Sequence, residues 1–144
     1  MSFALTRVAT VLDTVVVAAK HYSMRMAGFE ERRKSGFGQF MAQAEIEKRN
    51  SVFVGDLVRT FLSVDVSSRQ PFSAFAISHR AGCAFQIFLD GIALPTPTNL
   101  FDLPAPKELA GIELYSGPAT IPLEYKKAGS RSCGVILVWT KDGS

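Results

Sequence analysis

The sequence predicts an α+β domain in which short helices pack on a small mixed β-sheet. Two observations support this prediction: the helical patterns all lie in the first half of the chain, and the strand patterns follow them. The chain has 144 residues, of which 47% are hydrophobic and 20% are charged. This length and composition suit one globular core, with no room for a second.

Three short helices are predicted before the strands begin. The first covers Ser23 to Lys34, and the second covers Ala42 to Arg49. The third is capped by Asn50 or Ser51 and runs to about residue 62. Its apolar residues recur at helical spacing and form one face, made of Val54, Leu57, Val58 and Phe61.

The second half of the chain carries the strand patterns. Short strands are expected around Val64 to Val66 and around Phe75 to Ile77, where apolar residues alternate with polar or small ones. Clearer strands cover residues 83–89, 111–115 and 134–140, and the first of them ends at the turn dipeptide Asp90-Gly91. Alternation within the elements predicts a core of Leu57, Phe61, Phe85, Ile87, Leu89, Ile112, Leu114, Val135, Leu137 and Trp139.

Composition and motifs argue against most other classes of function. The net charge is +3 and is spread along the chain, which disfavours nucleic acid as the main partner. Nucleophile-elbow, Walker and zinc-protease motifs are all missing from the sequence, so we predict no cofactor, no metal and no catalytic residue. The remaining enzymatic hypothesis uses Cys83 or Cys133 as a nucleophile with His79, but nothing in the sequence orients such a pair.

An unusual segment lies near the start of the chain. Residues Phe3 to Ala19 are rich in Val, Thr and Leu without a helical period, which predicts an extended conformation. Within it the sequence reads Asp13, Thr14, Val15, Val16, Val17, Ala18, Ala19. A β-branched segment without a partner strand can add to the edge of another protein's sheet. It can equally form an ordinary strand of this fold, or the last strand of an upstream domain.

Further patterns follow that segment in a fixed order. They are Glu45-Ile46-Glu47-Lys48-Arg49-Asn50, then Val54-Gly55-Asp56-Leu57-Val58-Arg59-Thr60 followed by Val64-Asp65-Val66, then Phe85-Gln86-Ile87-Phe88-Leu89-Asp90-Gly91-Ile92, then Gly111-Ile112-Glu113-Leu114-Tyr115-Ser116-Gly117-Pro118-Ala119, and last Gly134-Val135-Ile136-Leu137-Val138-Trp139-Thr140-Lys141. Together with Asp13 to Ala19, they span residues 13–141. Their conjunction resembles the plug domain of TonB-dependent outer-membrane receptors, and Asp13 to Ala19 resembles the TonB box of that family.

The resemblance has two departures. Ser116 stands where the family has an arginine, which puts an ion pair to the barrel wall or the plug core in doubt. The residues after Thr140 are also far too few for a barrel of about 22 strands. The chain is most similar to barrel-less proteins in which a carboxypeptidase regulatory-like domain precedes the plug-like domain. Residues 1–20 are then an extended segment, with Phe3 to Leu12 as a possible tail of such a domain, and residues 21–144 are the plug-like domain.

The resemblance implies a non-enzymatic domain of a TonB-dependent transport system. Its partners are then a TonB-type energy-transducing protein, which docks on Asp13 to Ala19, and, as a further candidate, an outer-membrane barrel protein. The location is periplasmic or associated with the outer membrane. The alternative is a secreted or periplasmic plug-derived module with a binding or structural role and no transport function.

The resemblance also implies a disulfide between Cys83 and Cys133. Each cysteine precedes a predicted strand, and in a plug-like domain these two strands lie in the same small sheet. An exported location is oxidising, so two cysteines within reach are expected to pair. The alternative is a pair of free buried thiols in a cytosolic protein.

Overall fold

A computed structural model describes residues 24–126 and 133–141. Helix α1 covers residues 24–35. The elements that follow are β1 (Gln39–Ala42), α2 (Gln43–Arg49), α3 (Val54–Val58), β2 (Val64–Gln70), β3 (Ser73–Ser78), β4 (Gln86–Leu89), β5 (Ile92–Ala93), β6 (Leu109–Tyr115) and β7 (Val135–Thr140). Single 3-10 turns lie at Leu100–Asp102, Pro106–Glu108, Pro118–Thr120 and Leu123–Tyr125.

The main sheet has five strands in the order β1-β6-β7-β4-β5. Strands β4 and β7 are parallel, and the other three neighbouring pairs are antiparallel. The turn between β4 and β5 consists of Asp90 and Gly91, both with positive φ, as a two-residue hairpin requires. The α+β fold with a small mixed sheet, predicted from the sequence, is therefore confirmed.

Strands β2 and β3 form a separate antiparallel hairpin that packs over one face of the main sheet. A short bridge from Ile77 to Ala84 connects β3 to the segment that leads into β4. Helices α2 and α3 cover the same face through Ile46, Val54 and Leu57, which are all at most 2% exposed. We call this side of the sheet the hairpin face.

The opposite side of the sheet is also buried, and we call it the α1 face. Phe29 of α1, which is fully buried, packs there with Trp139 and with Ile121, which precedes the last 3-10 turn. All seven residues of β6 and all six of β7 are buried. The two central strands are therefore sandwiched between layers that the chain itself supplies.

The predicted core is buried as expected, except for Leu89, which is only partly buried. The prediction nevertheless treated each strand as having a single buried face. In β7, Val135, Leu137 and Trp139 lie on the α1 face, whereas Ile136 and Val138 lie on the hairpin face. Because α1 covers the second face, alternation described only half of the burial.

The helices differ from the sequence predictions in two places. The third helix covers only Val54–Val58, so it begins after the predicted cap at Asn50 or Ser51 and ends before residue 62, and no side chain caps it. Asn50 ends α2 instead, in the left-handed conformation that asparagine tolerates well. In the sequence, the charged run from Glu30 to Lys34 is typical of a solvated helix face. Only part of it is, because the Arg32 side chain is 16% exposed and faces the sheet.

Leu137 offers a direct test of the burial on the α1 face. It is fully buried in the middle of the central strand β7. Leu137→Ala is expected to lower the free energy of unfolding by roughly 2–5 kcal/mol, because it removes buried methyl groups and leaves a cavity. Urea unfolding monitored by Trp139 fluorescence measures this change. A loss below about 0.5 kcal/mol would show that the face is not packed as described.

Candidate functional site

The proposed docking segment, Asp13 to Ala19, lies outside the residues that the structure describes. What the structure does show is how the chain immediately after it is attached to the domain. The first described element, α1, begins at Met24 and crosses the α1 face of the sheet. Its attachment decides how anything bound to the preceding segment is coupled to the fold.

The main attachment is an ion pair between Arg32 and the buried carboxylate of Glu113. Arg32 Nε lies 2.7 Å from Glu113 Oε1, and Arg32 Nη2 lies 2.8 Å from Oε2, so the pair is bidentate. Glu113 lies in the middle of β6 and is 0% exposed. A charge buried this deeply requires a partner, and α1 supplies it from 81 residues away.

Two further donors complete the surroundings of the Glu113 carboxylate. The Tyr115 hydroxyl donates to Oε1 at 2.7 Å, and the Trp139 indole N–H donates to Oε2. The carboxylate thus accepts four hydrogen bonds from α1, β6 and β7. Such a fully satisfied network fixes the relative positions of the elements that contribute to it.

The network shifts the pKa values of the groups around the carboxylate. Burial by itself lowers the pKa of Arg32, but the hydrogen bonds and the negative charge of Glu113 outweigh burial and raise this pKa above its usual value. Burial, followed by the hydrogen bond and charge of Glu113, also raises the pKa of the Tyr115 hydroxyl. Arg32 therefore stays charged and Tyr115 stays protonated at neutral pH.

Aromatic rings enclose the same arginine. The Arg32 guanidinium lies 5.7 Å from the ring centroids of both Tyr125 and Trp139, within the range of cation–π attraction. Arg32 Nη1 also lies 3.3 Å from Glu124 Oε1, on the exposed side of the network. The last 3-10 turn is thereby tied to α1 as well as to the sheet.

Close packing of Phe29 adds to the attachment of α1. The ring of Phe29 lies over Gly111 of β6, where a Cβ atom would approach it to 2.9 Å. Phe29 also meets Phe40 of β1 edge-to-face, with a centroid distance of 5.5 Å. A glycine at position 111 thus allows α1 to lie close to the sheet.

The start of α1 is held at the turn between β4 and β5. The Asp90 carboxylate accepts hydrogen bonds from Thr140 N at 2.9 Å and from Thr140 Oγ1 at 2.6 Å, which joins the ends of β4 and β7. Arg25 Nε lies 4.0 Å from Asp90 Oδ1, and Arg25 Nη2 donates to the Thr140 carbonyl oxygen at 3.4 Å. These contacts are longer than those of Arg32, so this end of α1 is held less tightly.

The Tyr115 hydroxyl provides a pH-dependent test of the network. Because its folded-state pKa is raised above 10.0, the folded protein keeps this proton at pH values where the unfolded chain has lost it. The stability that it contributes is fully present below about pH 10 and is lost as the pH rises further. Tyr115→Phe is expected to cost about 1–3 kcal/mol at pH 7 and less at pH 10.5, as measured by urea unfolding. A gap between variant and wild type that does not narrow at pH 10.5 would contradict the raised pKa.

Cys83 and Cys133 form a disulfide, with their Cα atoms 5.6 Å apart, which is the pairing expected from the sequence. Cys83 precedes β4 and Cys133 precedes β7, and the parallel register pairs Gln86 with Val135 just beyond them. Gly134, which follows Cys133, leaves room for the ring of Phe85 just before β4, because a Cβ atom at position 134 would lie 2.6 Å from Phe85 Cε1. The bridge therefore joins the starts of two neighbouring strands.

Ser116, where the resemblance leads us to expect an arginine, follows β6. Its carbonyl oxygen accepts a hydrogen bond from Arg80 Nη2 at 3.0 Å. Arg80 belongs to the turn after β3, and its side chain is solvent-exposed.

The described residues contain no arrangement that suggests catalysis. Both cysteines are in the disulfide, so neither is available as a thiol nucleophile in this form. His79 Nδ1 lies 2.9 Å from Asp65 Oδ2, but both side chains are more than 60% exposed. Residues 24–126 and 133–141 hold no group of three potential metal ligands, and no helix within them is long and apolar enough to cross a membrane.

The fold of this chain is similar to part of several solved receptor structures. The siderophore receptor PirA from Acinetobacter baumannii matches 73% of this chain with a TM-score of 0.56 and 14% identity. The ferric enterobactin receptor PfeA from Pseudomonas aeruginosa, solved as a mutant, matches 78% with a TM-score of 0.57 and 15% identity. The chain has a plug-like fold. The ferric yersiniabactin uptake receptor FyuA from Yersinia pestis matches 72% of it with a TM-score of 0.52 and 17% identity.

The plug-like chain spans about one sixth of the length of these receptors, since the matches cover 17%, 18% and 16% of them respectively. No protein-family model matches the sequence, and no curated protein matches it either. The neighbours are transport receptors and not enzymes, and at identities of 14–17% they establish the fold alone.

Proposed function

We propose that this chain is the non-enzymatic plug-like domain of a TonB-dependent transport system. In this proposal residues 1–20 are an extended segment, and residues 21–144 are the domain that it serves. Asp13 to Ala19 dock onto a TonB-type energy-transducing protein by adding a strand to the edge of its sheet. The observation that carries the proposal is the plug-like fold shared with siderophore receptors, together with a box-like sequence immediately ahead of it.

The attachment of α1 supports the proposal physically. A docking segment is useful to a transport system only if a force applied to it reaches the folded domain. Arg32 and Glu113 connect α1, which follows the segment, to the central strand β6 through two short charged hydrogen bonds. We place the protein in the periplasm or at the outer membrane, where the disulfide is stable.

The second candidate function is that of a secreted or periplasmic plug-derived module, which has a binding or structural role and no transport role. The observation that favours it is the burial of both faces of the main sheet by the chain's own residues. Such a domain needs no surrounding barrel to cover its central strands. In that case Asp13 to Ala19 are buried as a strand within this fold and do not dock onto TonB.

A pulldown with the C-terminal domain of a TonB protein tests the docking role. Wild type is expected to bind, and Val15→Pro is expected to lose binding, because proline removes a backbone donor from the docking strand. Val11→Pro is the matched control, since it places the same residue outside the box, and it is expected to bind like wild type. Unchanged binding by Val15→Pro, or no binding by wild type, would count against the docking role.

A further inference from the structure

The side chains of Arg25, Phe29 and Arg32 contact the sheet one after another along α1. Arg25 is held at Asp90 and Thr140 by contacts of 3.4–4.0 Å. Phe29 is buried against Gly111. Arg32 is held by the bidentate pair with Glu113 at 2.7 and 2.8 Å. The weakest contact is nearest the N-terminal segment, and the strongest is farthest from it.

A pull on the N-terminal segment acts on these contacts in that order. Arg25 is loaded first, because it is the nearest to the point of force, and its long contacts yield easily. Arg32 is loaded last, and its separation leaves the buried Glu113 without its counter-charge. Because an uncompensated buried charge is costly, the separated state is strongly driven to close again.

The disulfide divides the chain at a second point. Every element from α1 to β3 precedes Cys83, and the loop from Cys83 to Cys133, with a sequence separation of 50, contains β4, β5 and β6. A force that arrives at Cys83 passes through the disulfide to Cys133 and so to β7. The chain between the two cysteines carries none of it.

We propose that α1 is a force-sensitive latch and that the Cys83–Cys133 disulfide is a covalent stop. A pull on the N-terminal segment releases α1 when the Arg32–Glu113 pair separates. It can then draw out the chain as far as Cys83, where the disulfide passes the force to Cys133 and keeps the loop between the two cysteines from being extended. This inference rests on the proposed function for the source of the force, but the latch and the stop are properties of the folded chain.

The stop fixes how far the chain can be extended. From residue 24 to Cys83 there are about 60 residues, which span about 200 Å when fully extended at ~3.5 Å per residue. The loop between Cys83 and Cys133 has a sequence separation of 50, so its extended length at the same distance per residue is about 170 Å. While the disulfide is closed, this length cannot be extended. Reduction of the disulfide releases that length.

Single-molecule force spectroscopy on the full chain, with handles at residues 1 and 144, tests both parts. In oxidised wild type we expect a first short event, the release of α1, followed by extension of the remainder. Reduction is expected to lengthen the fully extended chain by about 170 Å. Release of α1 together with the rest in a single event would overturn the latch, and equal lengths before and after reduction would overturn the stop.

Variants identify the contact that forms the latch. Arg32→Lys keeps the charge but cannot make the bidentate pair, and it is expected to release α1 about tenfold faster at a given force. Arg33→Lys is the matched control, because Arg33 pairs only with Glu30 on the exposed side of the helix. Glu113→Gln keeps the side-chain shape and is expected to act like Arg32→Lys. Equal release rates for Arg32→Lys and Arg33→Lys would overturn the role of the ion pair.

The instrument supplies the force in this experiment, so no TonB-type protein is needed. If α1 shows no separate release but the wild type binds in the pulldown, this inference is wrong and the proposed function stands. A working latch without binding would remove the docking role alone.

Discussion

Arg32→Ala is expected to lower the free energy of unfolding by roughly 3–5 kcal/mol, the largest effect predicted for any charged residue of this domain. The substitution leaves the Glu113 carboxylate buried without a counter-charge, and only Tyr115 and Trp139 still donate to it. It also removes the cation–π contacts of the guanidinium with the rings of Tyr125 and Trp139. The penalty comes mainly from the unpaired carboxylate and less from the lost attraction.

Urea unfolding at pH 7 measures this effect, with Arg33→Ala as the matched control. Arg33 is the next residue on the same helix, but its side chain is 51% exposed and pairs only with Glu30. The control is therefore expected to change stability by less than about 0.5 kcal/mol. Similar losses for the two variants would mean that the Arg32–Glu113 pair does not hold α1.

The second large effect is expected from the disulfide. Replacing both Cys83 and Cys133 with serine opens a loop with a sequence separation of 50. In the chain-entropy model, this costs about 4 kcal/mol of stability, because the unfolded chain gains freedom. The double variant avoids the single free thiol that either substitution alone would leave.

Intact mass before and after reduction comes first, because it shows whether the purified protein carries the bridge. A gain of about two hydrogens on reduction is expected. Urea unfolding of the double variant is then compared with that of oxidised wild type. Two free thiols in the denatured, non-reduced protein would contradict the bridge, and with it the expectation of an exported location.

The strands were predictable from the sequence because their patterns are local. Ile112 and Leu114 alternate with Glu113 in β6, and the dipeptide Asp90-Gly91 marks the turn after β4. Each of these signals lies within a few residues of the element that it defines. The order of the patterns along the chain then predicted, through the resemblance, the plug-like fold that this chain shares with part of the solved receptors.

The Arg32–Glu113 pair was missed because its members are 81 residues apart. In the sequence Arg32 belongs to a charged run that is typical of a solvated helix face, and Glu113 looks like the polar position of an alternating strand. Only the packing of α1 over β6 turns the two into a buried pair. An isolated acid in the middle of an otherwise apolar strand was the one available signal that a partner exists.

The burial of the second sheet face was missed for the same reason. Residues Val135 to Trp139 are apolar without interruption, a pattern typical of a strand that is buried on both sides. The elements that cover this face are α1 and the segment around Tyr125. Both contain many polar residues, so their sequences did not predict that they pack on the sheet. Alternation therefore identified correct core residues but assigned them to a single layer.

Hydrogen exchange on residues 14–17 tests the central claim most directly, with and without the C-terminal domain of a TonB protein. The docking account predicts amides of Thr14 to Val17 that exchange freely in the isolated chain and become protected when the TonB domain is added. Amides already protected in the isolated chain, and unchanged by the TonB domain, would contradict that account and favour a strand internal to a module without a transport role.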